Sequence, residues 1–190
     1  MIRPATDTGR TEQALVAGGT GRLRLQLRTR QVDDVDALFR LFSQPLCRFG
    51  LIGEPFAGAA AFGSWLRARG SRPLDMLATH EGVPIGFAAL HPGNETRSHV
   101  GEIAIFVHDQ FHGQGVGACL MDALMMAAAG VGRLNRLELA VRTENRPAIT
   151  MYLKFGFVIE GHHRRYARRE GVDIDVFTMA KDMRAGPLRH

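Results

Sequence analysis

Residues 100–120 read VGEIAIFVHDQFHGQGVGACL: an alternating apolar strand runs into a glycine-rich turn and straight into a helix. No other stretch of the chain leaves its backbone so few alternatives. Ile103, Ile105 and Val107 supply the period of two that a half-buried strand needs. Gly113, Gly115 and Gly117 then stand at alternate positions, where the missing Cβ atoms let the main chain bend tightly. The first-turn amides of the new helix have no acceptor within it, so the segment from Gly113 through Gln114, Gly115, Val116 and Gly117 to Ala118 can present its N–H groups to a pyrophosphate. The helix dipole adds about 0.3–1 kcal/mol.

Gly113, Gly115 and Ala118 fit a loose G-x-G-x-x-A dinucleotide fingerprint. The surroundings argue against that ligand. A dinucleotide fold sets this turn after its first strand and needs several βα units beyond it, whereas about seventy residues follow here. Glu138, the acid that would bind a ribose, falls inside a strand-like run at 136–141. No G-x-x-x-x-G-K-[ST] loop is present to cradle a nucleoside triphosphate.

At 190 residues, 45% apolar and 23% charged, the chain has the make-up of one soluble globular domain. Cys47 and Cys119 are too few for a disulfide framework and read as reduced thiols, as expected of a cytoplasmic protein. No apolar run approaches the roughly 18 residues that cross a bilayer, and the first twenty residues hold no signal-peptide core, so no membrane partner is expected. The net charge of +5 and the run HHRRYARR at 162–169 raise nucleic acid as a partner. Tyr166, Ala167 and Glu170 interrupt that run, and a nucleic-acid binder would carry a broader basic stripe with stacking platforms. Nucleic acid is therefore set aside. Arg168 and Arg169 read either as a solvated strand face or as charges that steer an anionic substrate.

Residues 1–22 show no sustained periodicity and are expected to form a mobile tail, with the folded domain at 23–183 and a short tail at 184–190. Leu23, Leu25 and Leu27 predict a strand. Asp33 or Asp34 caps a helix carrying Val35, Leu38, Phe39 and Phe42, which Pro45 stops. Residues 44–58 predict a loop and 59–69 a short helix. Strands at 74–80 and 86–90 flank a turn at 81–84, and another turn spans 91–97. A helix at 115–129, a strand at 136–141, a helix at 146–155 and two closing strands follow the central strand.

Two motifs stand in order. His112-Gly113-Gln114-Gly115-Val116-Gly117 directly follows an apolar strand, and ENRPAITMYLKFGF at 144–157 sets an Asn before an apolar helix that carries a Tyr and ends in Gly-Phe. Together they resemble the GCN5-related N-acetyltransferase (GNAT) superfamily over residues 23–183, with 156–183 similar to its closing β-hairpin. The chain looks most similar to bacterial small-molecule members, including L-amino-acid N-acetyltransferases. The resemblance implies an α/β fold of the α+β type: a mixed, mostly antiparallel twisted sheet of six to seven strands flanked by about four helices.

It also implies acetyl-CoA as cosubstrate and no metal. The turn from His112 to Ala118 would hold the pyrophosphate; independently of the resemblance, the charge run with Arg168 and Arg169 offers arginines that could steer the phosphates of coenzyme A or an acidic substrate. The central strand would diverge from the next one, and the backbone of Ile105, Phe106 and Val107 would bond the thioester-bearing arm, at about 0.5–1.5 kcal/mol per hydrogen bond. His112 stands where the family has Gln or Arg; its ring either donates toward phosphate or is simply exposed. Asn145 is a helix cap, a ligand of the arm, or both. Tyr152, seven residues beyond Asn145, matches the family's proton donor to the leaving thiolate, against the alternative of a packing tyrosine. With a phenol near pKa 10 and a thiol near 8.5, complete transfer is uphill by roughly 2 kcal/mol, so hydrogen bonding is the larger gain.

Glu102 shares a strand face with Ala104 and Phe106, and an acid on an otherwise apolar strand needs a purpose or a partner. It is read as the general base, acting directly or through water, or as half of a structural ion pair. Gly101 and Ala140 occupy the positions where other members carry such a base. Deprotonating an α-amine of pKa about 8 at pH 7 costs about 1.4 kcal/mol, against about 4.6 for a lysine. This modest equipment suits transfer of acetyl to the primary amine of a small molecule, first a free L-amino acid, by direct attack in a ternary complex. A protein N-terminus or an amino-group antibiotic is the same-class alternative, and a non-catalytic acetyl-CoA sensor the alternative of another class. A homodimer is compatible with the sequence.

Overall fold

Alternating apolar residues along the chain build eight strands of a single sheet. The computed structural model describes residues 12–18, 21–53, 56–68 and 74–184. The strands are β1 (Glu12–Gly18), β2 (Gly21–Thr29), β3 (Asp75–His80), β4 (Val83–Pro92), β5 (Val100–Val107), β6 (Arg136–Arg142), β7 (Val158–Arg169) and β8 (Val172–Asp182). The α-helices are α1 (Val35–Phe42), α2 (Pro45–Gly50), α3 (Ala59–Ala68), α4 (Val116–Gly130) and α5 (Arg146–Lys154). The strands lie in the order β1-β2-β3-β4-β5-β6-β8-β7, and every neighbouring pair is antiparallel except β5 and β6. The mixed, mostly antiparallel sheet with flanking helices is the architecture the resemblance implied, carried by eight strands rather than six to seven and by five α-helices.

Two local expectations are corrected. Glu12–Gly18, expected within a mobile tail, form β1 and pair with β2 from Glu12↔Leu27 to Gly18↔Gly21. Ala14 and Val16 pack on the core from this strand, too short an alternation to stand out among Gly and Thr. Residues 1–11 and 185–190 of the expected tails lie outside the described residues. The stretch 44–58, expected as loop, contains α2. Pro45 sits at its first turn, where its missing N–H costs nothing, so it starts a helix as well as following one.

Period-two alternation sorts the side chains onto two faces. Leu77, Phe87, Ala89 and Phe106 meet Leu38, Leu41, Phe62 and Leu66 of α1 and α3. On the opposite face Ala78, Ile85, Ala88, Leu90 and Ile103 meet α4, whose Leu120, Met121 and Leu124 are fully buried, and α5. Between β3 and β4 the turn is only Glu81-Gly82, and between β7 and β8 only Glu170-Gly171, all four with positive φ. That is the two-residue turn whose twist matches the strands it joins, and it lets β4 run longer than its apolar centre indicates.

Arg28 donates two bonds of 2.7 Å to the Asp34 carboxylate, which also accepts the Gln31 N–H at 2.7 Å. Burial pushes the Asp34 carboxyl up, but the bonds from Arg28 and Gln31 outweigh it and hold the group below its ordinary value. A carboxyl that titrates lower in the folded than in the unfolded state, where its pKa is about 3.9, adds stability above that pH and loses it as pH falls through the folded value. Asp34→Asn is expected to lower the unfolding free energy at pH 7 and to flatten its decline below about pH 4, as read from urea unfolding across a pH series.

Candidate active site

β5 and β6 pair over three positions only, Val100↔Arg136, Gly101↔Leu137 and Glu102↔Glu138. Beyond them β5 stays with β4 to Val107, and β6 stays with β8 to Arg142. The strands part, as the resemblance implied. In an antiparallel pair, successive residues direct both backbone groups to alternate edges. His108 N–H bonds Ile85 O, and Val100 O accepts Gly93 N–H, so the even-numbered residues of β5 face β4. Ile105 and Val107 therefore turn their N–H and C=O toward the gap. Phe106 does not: its backbone belongs to the ladder with β4, and the expectation that it lies on the open edge is corrected.

The glycine turn follows. Gly113 and Gly115 have φ of 72° and 82°, a left-handed backbone that a side chain would strain. Gly117 serves otherwise: a Cβ there would lie 3.0 Å from Met151 Sδ, so its absence lets α4 approach α5. Gly115 caps α4, and Cys119 N–H is the first to bond back, to Gly115 O. The amides of Val116, Gly117 and Ala118 thus have no helical acceptor, as an anion site at this turn requires. Gln114 Nε2 donates to Gln110 O at 2.8 Å. The exposed His112 ring lies with Nε2 at 2.9 Å from Val107 O. That carbonyl also accepts Cys47 Sγ at 3.2 Å. The ring is thus tied to the end of β5, and one of the three backbone carbonyls assigned to the arm is already taken.

Asn145 caps α5, its side-chain oxygen accepting Ala148 N–H at 3.4 Å. Tyr152 is buried beside Phe157, ring centres 5.9 Å apart. Desolvation pushes its phenol up to about 12, so at neutral pH it is a hydrogen-bond donor.

On the α1/α3 face a cavity of about 240 Å³ opens beside the gap. Three alternate cross-strand pairs, neighbours on this face of the sheet, form its wall and floor: Phe87↔Phe106, Ala89↔Ala104 and His91↔Glu102. Trp65, Leu66 and Phe56 enclose it from α3 and the preceding segment. Glu102 is exposed to this cavity, and among the described residues no ion pair engages it. Glu138, its neighbour across the parallel ladder, is bonded by Arg136 and Arg97. Burial pushes Glu138 up, but the two guanidinium groups outweigh it and hold the carboxyl below its usual range. His91 Nε2 lies 3.9 Å from Asp75 Oδ1, and Arg30 Nε donates to Asp75 Oδ2 at 3.1 Å. Motif reading missed His91, Asp75 and Trp65. The first was recoverable, because a β4–β5 hairpin that opposes Phe87 and Phe106 also opposes His91 and Glu102.

Residues 36–157 match the acetyltransferase (GNAT) family. The chain belongs to that family. This GNAT-family N-acetyltransferase is 28% identical over 158 residues to the L-amino acid N-acetyltransferase AaaT of Escherichia coli K12, covering 82% of this chain and 96% of that one. A GNAT-family acetyltransferase from Streptococcus pneumoniae superposes with a TM-score of 0.70 at 26% identity, over 83% of this chain and 99% of its own. The structure of yncA, a putative acetyltransferase from Salmonella typhimurium with its cofactor acetyl-CoA, shares the fold with a TM-score of 0.74 at 16% identity, over 87% and 98%. Among the described residues no helix is long and apolar enough to cross a membrane.

In this GNAT protein α2 straddles the parted strands. On the β5 side Leu46 N–H bonds Asp109, and Cys47 Sγ reaches Val107 O. On the other side Arg142 of β6 donates to Phe49 O at 3.2 Å and lies 4.2 Å over the Phe49 ring, while Arg169 of β7 donates to the carbonyls of Arg48 and Leu51. Arg168 pairs with Asp173 at 2.7 Å. Both arginines once considered for coenzyme phosphates are thus engaged within the protein. Burial, with Asp109 nearby, pushes the Cys47 thiol up to about 12, which leaves it an unreactive packing group. Replacing Arg142 and Arg169 together by Met is expected to raise amide hydrogen exchange across Pro45–Gly50 at least tenfold and to leave α4 unchanged.

Proposed function

We propose that the protein transfers acetyl from acetyl-CoA to the primary amine of a small molecule, with a free L-amino acid as the leading acceptor. One observation carries this reading: the open backbone groups of Ile105, together with the Val107 N–H, adjoin both the orphan amides of Val116 to Ala118 and a cavity that holds Glu102. An extended arm with two amides matches the edge, a pyrophosphate matches the amides, and an amine matches the cavity. The likeness to AaaT supports the amino-acid acceptor.

In the proposed reaction the acceptor nitrogen attacks the thioester carbonyl, the carbon–sulfur bond breaks, and the nitrogen loses a proton. Glu102 takes the ammonium proton before attack, directly or through water, and the proton shed as the amide forms passes to solvent by the same route. Tyr152 donates a hydrogen bond to the departing sulfur. With the phenol at about 12 and a thiol near 8.5, complete proton transfer would be uphill by about 5 kcal/mol, so the hydroxyl steadies the thiolate without surrendering its proton. Asn145 keeps its oxygen on the helix cap and has its NH2 group left for the arm.

Thiol release from acetyl-CoA, followed over the free L-amino acids with an alanine-terminated peptide and an aminoglycoside for comparison, tests the reading. Turnover with amino acids supports it; preference for the peptide shifts the acceptor to protein N-termini; coenzyme binding without any turnover makes the protein a sensor. Tyr152→Phe is expected to lower kcat at least tenfold with KM for acetyl-CoA little changed, and an unchanged kcat would remove Tyr152 from the chemistry. Glu102→Gln is expected to cut kcat/KM strongly at pH 7 and less at pH 9, where an α-amine of pKa about 8 is already neutral.

A further inference from the structure

The cavity beside the gap is sorted by chemistry along the β4–β5 ladder. Phe87↔Phe106 form one wall, Ala89↔Ala104 the floor and His91↔Glu102 the opposite wall. The floor exists because two facing residues are alanines, where a larger pair would close it. Phe56 and Trp65 stand over it with ring centres 4.9 Å apart, and Phe42 packs on Phe106 at 4.4 Å and on Phe87 at 5.7 Å. These rings hold one another in tilted contacts, so the slot is preformed. Its charged lining is acidic: Glu102 and Asp75, the latter bonded by Arg30. An apolar cavity of about 150 Å³ already accepts benzene, and this one measures about 240 Å³.

We propose that this slot selects acceptors whose amine carries an aromatic or large apolar substituent, with the amine at the Glu102 wall and the substituent on the alanine floor beneath Trp65. A small polar substituent would leave the apolar part of the slot filled with water. An anionic substituent laid on the alanine floor would be stripped of water beneath the aromatic rings and face no lysine or arginine among the described lining residues. The inference rests on the acetyl-transfer reading and specifies its acceptor class.

Trp65 is the only tryptophan in the chain, so its emission reports on the slot without reference to catalysis. Titrating the protein with L-phenylalanine and 2-phenylethylamine should give a saturable change in emission, and L-serine should give none. In thiol-release assays kcat/KM should be at least tenfold higher for L-phenylalanine than for L-serine or L-glutamate, and Ala104→Leu should bring that ratio near one. Serine or glutamate equal to phenylalanine, or a flat emission titration, overturns the inference and leaves acetyl transfer standing. Absence of turnover with every amine overturns the transfer reading instead, and the emission titration then decides the slot alone.

Discussion

Everything at the site depends on a parallel ladder that stops after three residue pairs. β5 and β6 are held together at the end that carries Glu138, where Arg136 bonds both Glu138 and Glu160 while Arg97 reaches Glu138 from the loop before β5. At the other end nothing in the ladder restrains them. β5 runs on with β4 into the turn before α4, β6 runs on with β8, and α4 and α5 approach each other at Gly117 and Met151. A backbone group left buried without a partner costs about 1–3 kcal/mol, so the N–H and C=O of Ile105 and the N–H of Val107 require water or a ligand with matching donors and acceptors. Arg97 ties β6 to the loop that leads into β5 at this closed end.

The face that bears the cavity follows from the same ladder. Because β4 and β5 stay in register past the point where β6 leaves, the pairs Phe87↔Phe106, Ala89↔Ala104 and His91↔Glu102 line up beside the gap. α2 then crosses the parted strands, tied to β5 by Cys47 and to β6 and β7 by Arg142 and Arg169. These arginines bond carbonyl oxygens at the end of a helix too short to satisfy its own. The basic run of β7, which looked like a ligand site in one dimension, is in large part an internal fastening.

The strands and helices that carry strong periodicity were legible: Leu23, Leu25 and Leu27 in β2, the apolar alternation of β5, and the glycine turn that opens α4. What escaped is instructive. Among the described side chains of the seven-residue β1, Ala14 and Val16 pack on the core, and α2 has only six residues, opening on a proline, so neither produces a period. The backbone role given to Phe106 failed by one residue, because which edge of β5 an amide faces is set by the hydrogen bond from His108 to Ile85 and not by side-chain pattern. Asp75 lies in a strand read as apolar and His91 in a stretch read as a turn, and both bring polar groups to the cavity. They become visible only when register is known.

A sheet ordinarily separates the groups on its two faces by the thickness of its backbone. Tyr152 belongs to the core on the α4/α5 face, whereas Glu102 projects on the α1/α3 face. For an amine to lose a proton to one and a departing sulfur to be steadied by the other, both must reach atoms bonded to the same carbonyl carbon. Parting β5 from β6 removes the intervening ladder and gives each face access to the gap. The asymmetry of the two facing glutamates fits this arrangement: Glu138 is neutralised by two guanidinium groups at the closed end, while Glu102, one strand away, is left to the cavity. A third guanidinium on Glu102 would tie up the carboxylate that the proposed reaction needs free as its base.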